Sequence, residues 1–131
     1  MAQSSRHVSY VMAMLCLFIA NAVTHARRPT TYFVGGQDGW DPVILMDTWA
    51  RGKTFYAGDI LVFKYDDQRS NVVVVNRIGY ETCTANEGAV EYSSGNDRIQ
   101  LHYGYNYFIG TYTPEDCSTG LKMAIKALAP I

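Results

Sequence analysis

The chain has 131 residues, with 11 Lys+Arg against 12 Asp+Glu and a formal net charge of −1 at pH 7. That length holds one domain rather than two. The near balance of charge leaves no basic footprint for nucleic acid or for an anionic membrane surface.

Residues 1–26 read as a secretory leader. Arg6 and His7 give a weakly basic start, and residues 11–20 (VMAMLCLFIA) form an apolar core too short to span a bilayer. Small residues at Thr24 and Ala26 place the expected cleavage after Ala26. Cys16, His7 and His25 leave with the leader, and so does Arg6. Ten basic side chains then face twelve acidic ones, a balance of −2. Two cysteines remain, Cys83 and Cys117, and one histidine, His102. In an oxidising compartment an even pair defaults to a disulfide. Such a staple is worth about 3–4 kcal/mol on the loop-entropy account. No Asn-x-Ser/Thr acceptor is present, so N-glycosylation is not expected. The ending KALAPI is too short for a lipid-anchor signal, and no membrane anchor is expected.

β-Branched residues, aromatics and closely spaced Gly, Asp and Asn predict many short strands. Residues 30–35 (TTYFVG) are the first, and residues 37–49 a polar loop holding Trp40 and Trp49. Gly58-Asp59 turns into residues 60–65, where Leu61, Phe63 and Tyr65 share a face. Residues 66–70 are a charged turn. Residues 71–76 (NVVVVN) are a strand buried on both faces. Residues 81–87 suit one helical turn around Cys83. Residues 97–102 and 106–112 suggest a hairpin across Tyr103-Gly104-Tyr105. Leu121, Met123, Ile125 and Ala127 alternate with Lys122, Ala124 and Lys126, as on a half-buried edge strand. Seven or eight such strands predict an all-β, two-sheet sandwich.

Ordered blocks along most of this region resemble the phytocyanins, the plant branch of the blue-copper cupredoxins. They run from Tyr32-Phe33-Val34-Gly35-Gly36 and Gly39-Trp40, through Trp49-Ala50-Arg51-Gly52-Lys53, to Gly58-Asp59-Ile60-Leu61-Val62-Phe63. Asn71-Val72-Val73-Val74-Val75-Asn76, Tyr80-Glu81-Thr82-Cys83 and Ser94-Gly95-Asn96-Asp97 continue the match. Asn106-Tyr107-Phe108-Ile109 and Cys117 with Gly120-Leu121-Lys122-Met123 close it. Within the family the pattern is most similar to the plantacyanin, or basic blue protein, branch.

The resemblance implies a cupredoxin-like Greek-key sandwich with copper near one end. Its ligands are a His before the Asn-Val-Val strand, a Cys after the Tyr-Phe-Ile strand, a His before the disulfide cysteine, and a weak axial group. In this sequence those positions carry Ser70, Gly110, Asp116 and Leu121. The loop before Cys117 is one residue longer than the family pattern, so the Cys position falls on Gly110 or on Thr111. Some family relatives, early nodulin-like proteins and certain pollen allergens among them, resemble this chain in lacking the ligands. The residue count points the same way, because a blue-copper site needs two imidazoles and a free thiolate. No metal and no cofactor is expected. The alternative is a plantacyanin-type copper electron carrier, which requires reduced cysteines and other ligands.

Other candidates stand beside plainer readings. Asp66, Asp67, Glu115 and Asp116 could gather around a hard cation such as calcium, or form a solvated acidic rim with Arg69. His102 with nearby carboxylates could hold a metal, although one imidazole is a weak anchor. Tyr107 and Phe108 suit core packing, whereas Tyr103 and Tyr105 flank a turn and suit partner contacts. Trp40 and Trp49 suit plugs under the loop. A Ser-His-acid nucleophile centred on Ser70 lacks its histidine, and no phosphate loop is present. The expectation is a non-enzymatic, monomeric protein secreted to the apoplast or cell wall. From the resemblance, its partners are extracellular glycans or glycoproteins.

Overall fold

The computed structural model describes residues 27–130. The predicted leader, with Cys16, lies outside the described residues. The element order is β1 (Thr31–Phe33), α1 (Met46–Ala50), β2 (Phe55–Tyr56), β3 (Ile60–Lys64), β4 (Val72–Val75), α2 (Arg77–Thr82), β5 (Val90–Tyr92), β6 (Asn96–Gln100), β7 (Gly104–Ile109) and β8 (Lys122–Leu128). One sheet has the order β1-β3-β6 and the other β2-β8-β7-β4-β5. The β1/β3 and β2/β8 pairs are parallel and the rest antiparallel. This is the expected two-sheet sandwich.

The main core lies between the sheets. Leu61 and Phe63 of β3 meet Phe108 of β7 and Met123 and Ile125 of β8, all buried. Trp40 plugs one end, edge-on to Phe63 at 5.2 Å, and its Nε1–H donates to Asn71 O (2.8 Å). Trp49 packs at the margin of the same core. Tyr65 does so as well, at the rim of the Leu61–Phe63 face.

A second, smaller core sits on the outside of the five-stranded sheet. Val73 and Val75 of β4, Ile109 of β7 and Cys117 form it, with Tyr80 and Tyr107 packed against them. Val72 faces the main core instead. This explains the uninterrupted apolar run of β4, since each face of the strand meets a separate core. The Cys83–Cys117 disulfide, with Cα atoms 5.6 Å apart, holds α2 over this outer core. The predicted helical turn at 81–87 lies earlier, at α2. Asn76 sets its start by accepting from Gly79 N–H (2.8 Å), and Cys83 ends it in the left-handed region at φ 54°.

Three further expectations are corrected. Residues 97–102 and 106–112 do not form a hairpin, because β6 pairs with β3 in one sheet and β7 with β4 and β8 in the other. The segment between them arches across the sandwich. Buried Leu101 anchors it, and the Asn106 amide bonds His102 N (3.0 Å), His102 O (2.9 Å) and Gly104 O (3.1 Å). Strand β8 is not the outermost strand, because the two-residue β2 pairs with Ala127 and Leu128 at its end. The loop at 37–49 contains the start of α1. Asp47 in that helix accepts from Tyr80 Oη (2.7 Å) and from Ala124 N–H (3.1 Å), tying α1 to β8.

Candidate functional site

Ser70, Gly110, Asp116 and Leu121 come from three chain segments and meet at one end of the sandwich. Ser70 closes the 66–70 turn before β4, where its N–H donates to Asp66 O (3.0 Å). Gly110 follows β7, and Asp116 and Leu121 flank the disulfide before β8. Gly110 N–H donates to Leu121 O (2.9 Å), and Leu121 N–H to Asp116 O (2.9 Å). Asn71 joins the Ser70 segment to them. Its Oδ1 accepts from Thr111 N–H (2.8 Å), and its Nδ2 donates to Thr111 Oγ1 (3.0 Å) and Glu91 Oε1 (3.0 Å).

Leu121 and Asp116 are already committed, and Ser70 is not. Leu121 is fully buried, and its Cδ2 stands where a β-carbon on Gly110 would begin. A side chain at position 110 would therefore require Leu121 to move. Asp116 is buried, and its carboxylate accepts from Thr113 N–H (3.0 Å) and Thr113 Oγ1 (2.7 Å), closing the preceding turn. Thr111 turns toward Asn71. Ser70 Oγ is buried without a hydrogen-bond partner among the described residues. Ser70 also borders a cavity of about 250 Å³ lined by Trp40, Tyr65, Asp38, Asp41 and Asp66. Both cysteine sulfurs are held in the disulfide.

His102 is exposed on the inter-sheet arch. The whole of β7, about 20 Å of extended chain, separates it from Gly110. The acidic residues do not converge either. Asp66 faces Arg69 at 3.8 Å and accepts from Gln68 N–H (2.9 Å), while Asp116 is turned toward Thr113. Among the described residues no group of three or more His, Cys, Asp or Glu is placed to hold a metal ion.

The tyrosines divide as their positions suggest. Phe108 is in the main core and Tyr107 packs against the outer one. Tyr103 and Tyr105 are 74% and 61% exposed. Burial and the neighbouring Asp97 carboxylate push the Tyr65 hydroxyl well above its ordinary pKa, and burial with Asp47 does the same for Tyr80. Each hydroxyl is committed to a carboxylate, Tyr65 to Asp97 and Tyr80 to Asp47, so the raised values mark structural hydrogen bonds.

Sequence reasoning passed over Asn71, Asp47 and Tyr80. Each acts through a contact 20 or more residues away, and no local pattern signals it. Lys122 and Lys126 were visible only as the polar half of an alternation. The structure sets them beside tyrosines, with Lys122 Nζ 4.5 Å from the Tyr80 ring centre and Lys126 Nζ 5.8 Å from that of Tyr105.

Comparison with known proteins agrees with this architecture. The plastocyanin-like domain family matches residues 40–121. Early nodulin-like protein 22 of Arabidopsis thaliana is 78% identical, the match covering 99% of each chain. The basic blue protein of Cucumis sativus is 46% identical, over 74% of this chain and 98% of that one. The structure of cucumber basic protein, a blue copper protein, superposes with a TM-score of 0.71 at 45% identity, covering 76% of this chain and all of the other. With a sandwich of this topology and the disulfide between Cys83 and Cys117, the chain belongs to the phytocyanin family of plastocyanin-like proteins.

Proposed function

We propose that this protein is a secreted phytocyanin without a copper site, which acts by contact in the plant extracellular matrix rather than by electron transfer. One observation carries the reading: none of the four positions that meet at this end carries an imidazole or a thiolate, and the Leu121 side chain fills the space beside Gly110. The other positions agree. Asp116 is spent on Thr113, Ser70 offers only a hydroxyl, and Leu121 has no donor atom. Copper of this type takes imidazole nitrogen and thiolate sulfur. The residues present do not fit that donor set. The plant relatives and the apolar leader support the extracellular setting, and extracellular glycans or glycoproteins are the partners this reading expects.

A copper-binding electron carrier is the second reading, favoured by similarity to a blue copper protein. Copper titration of the oxidised mature domain, followed by visible absorption, separates the two. A colourless protein that leaves copper in the flow-through supports the first. An intense thiolate-to-copper band overturns it.

A further inference from the structure

Exposed Tyr105 and Lys126 lie with half-buried Tyr107 and Lys122 on one surface, the outer face of β7 and β8, where Lys122 Nζ also donates to Tyr80 O (3.3 Å). Inward positions of β7 are filled by Asn106 and Phe108, which turns Tyr105 and Tyr107 outward. The register sets Tyr105 opposite Lys126, Tyr107 opposite Ala124 and Ile109 opposite Lys122. Tyr105 and Tyr107 are nearly parallel, 13° between planes and 5.9 Å between centres, and Tyr80 continues the row 5.4 Å beyond Tyr107. Alongside runs a shallow cleft bordered by Asp47, Arg51, Tyr80 and Ala124. Three ion pairs form among the described residues, and none uses Arg51, Lys122 or Lys126. A chain with more acidic than basic residues thus keeps a cationic, aromatic strip on one sheet face.

We propose that this strip binds an acidic polysaccharide, a run of uronate sugars. The inference rests on the reading of the protein as an extracellular contact protein and names the site and ligand class for it. Sugar C–H groups carry partial positive charge and pack on the negative face of an aromatic ring. Lys126, Lys122 and Arg51 supply the charge that carboxylates along the same polymer require. A row of stacked tyrosines, open at Tyr105 and flanked by cations, suits a linear polyanion. It lacks the desolvated apolar centre of a protein-binding hot spot.

Titration calorimetry of the full mature chain with oligogalacturonate tests this, with fully methyl-esterified oligogalacturonate, a neutral mannan oligomer and polyglutamate as comparisons. Oligogalacturonate should bind in preference to all three, and more weakly as salt rises. Tyr105→Ala should weaken binding roughly two- to ten-fold, and Tyr105→Trp should keep it. Lys126→Glu should cost about tenfold or more and Lys126→Arg little. Both positions are exposed, and unchanged melting temperatures will show that the variants fold. Equal binding of the esterified, neutral or polyglutamate probe overturns the proposal, as does wild-type binding by Tyr105→Ala and Lys126→Glu. Copper is read separately: a copper-binding protein that also takes oligogalacturonate removes the copper-free reading and leaves this site standing.

Discussion

Gly110 and Leu121 divide one volume between them. The leucine Cδ2 occupies the space of a β-carbon on the glycine, while Gly110 N–H donates to Leu121 O (2.9 Å). Gly110→Cys should therefore overpack the end of the sandwich and cost about 1–3 kcal/mol. Gly110→Cys with Leu121→Ala should recover part of that loss, because the pair is coupled. Urea unfolding of the two variants measures it. A single variant as stable as wild type would show that Leu121 moves aside freely.

The disulfide closes a loop of 34 residues and pins α2 over the outer core. Replacing both cysteines by Ser should cost about 3–4 kcal/mol. Hydrogen exchange in the doubly substituted protein should rise first in α2, whose other side-chain anchors centre on Tyr80. Uniform loss of protection across both sheets would contradict a separate outer unit.

Two half-buried phenols link stability to alkaline pH. Tyr65 and Tyr80 both have hydroxyls raised above their ordinary value of 10.0. The folded state then holds these protons where the unfolded chain releases them. Their contribution is complete below about pH 10 and is lost as pH climbs toward the folded values. Denaturant midpoints should fall above about pH 10, and the double variant Tyr65→Phe/Tyr80→Phe should flatten that fall. An unchanged slope in the double variant would remove these two groups as the cause.

Asn71 is 4% exposed and joins the Ser70 segment to Thr111 and Glu91. Asn71→Ala leaves the Thr111 N–H without that acceptor and should cost about 1–3 kcal/mol. Thermal melts give the size, and amide exchange at Thr111 gives the place. Protection unchanged at Thr111 would mean water replaces the amide.

Periodicity carried much of the fold. The alternation of Leu121 to Ala127 marked β8, the NVVVVN run marked a strand buried on both sides, and the even cysteine pair marked the staple. Pairing was less legible. The segments around Tyr103-Gly104-Tyr105 have hairpin spacing, yet Asn106 bonds the arch and sends β7 into the other sheet. Strand β2, two residues long, leaves no periodic signal at all, and without it β8 reads as an edge.

The residue types at positions 70, 110, 116 and 121 are settled by the sequence alone, and so are the donor atoms they can offer. Imidazole and thiolate are absent from all four whatever the fold does. What those side chains do instead depends on distance in space. Leu121 fills the room beside Gly110, Asp116 closes on Thr113, and Tyr105 comes to lie opposite Lys126 through strand register. Local sequence encodes chemistry and period. Which distant groups share a volume is decided only when the two sheets pack and their registers lock.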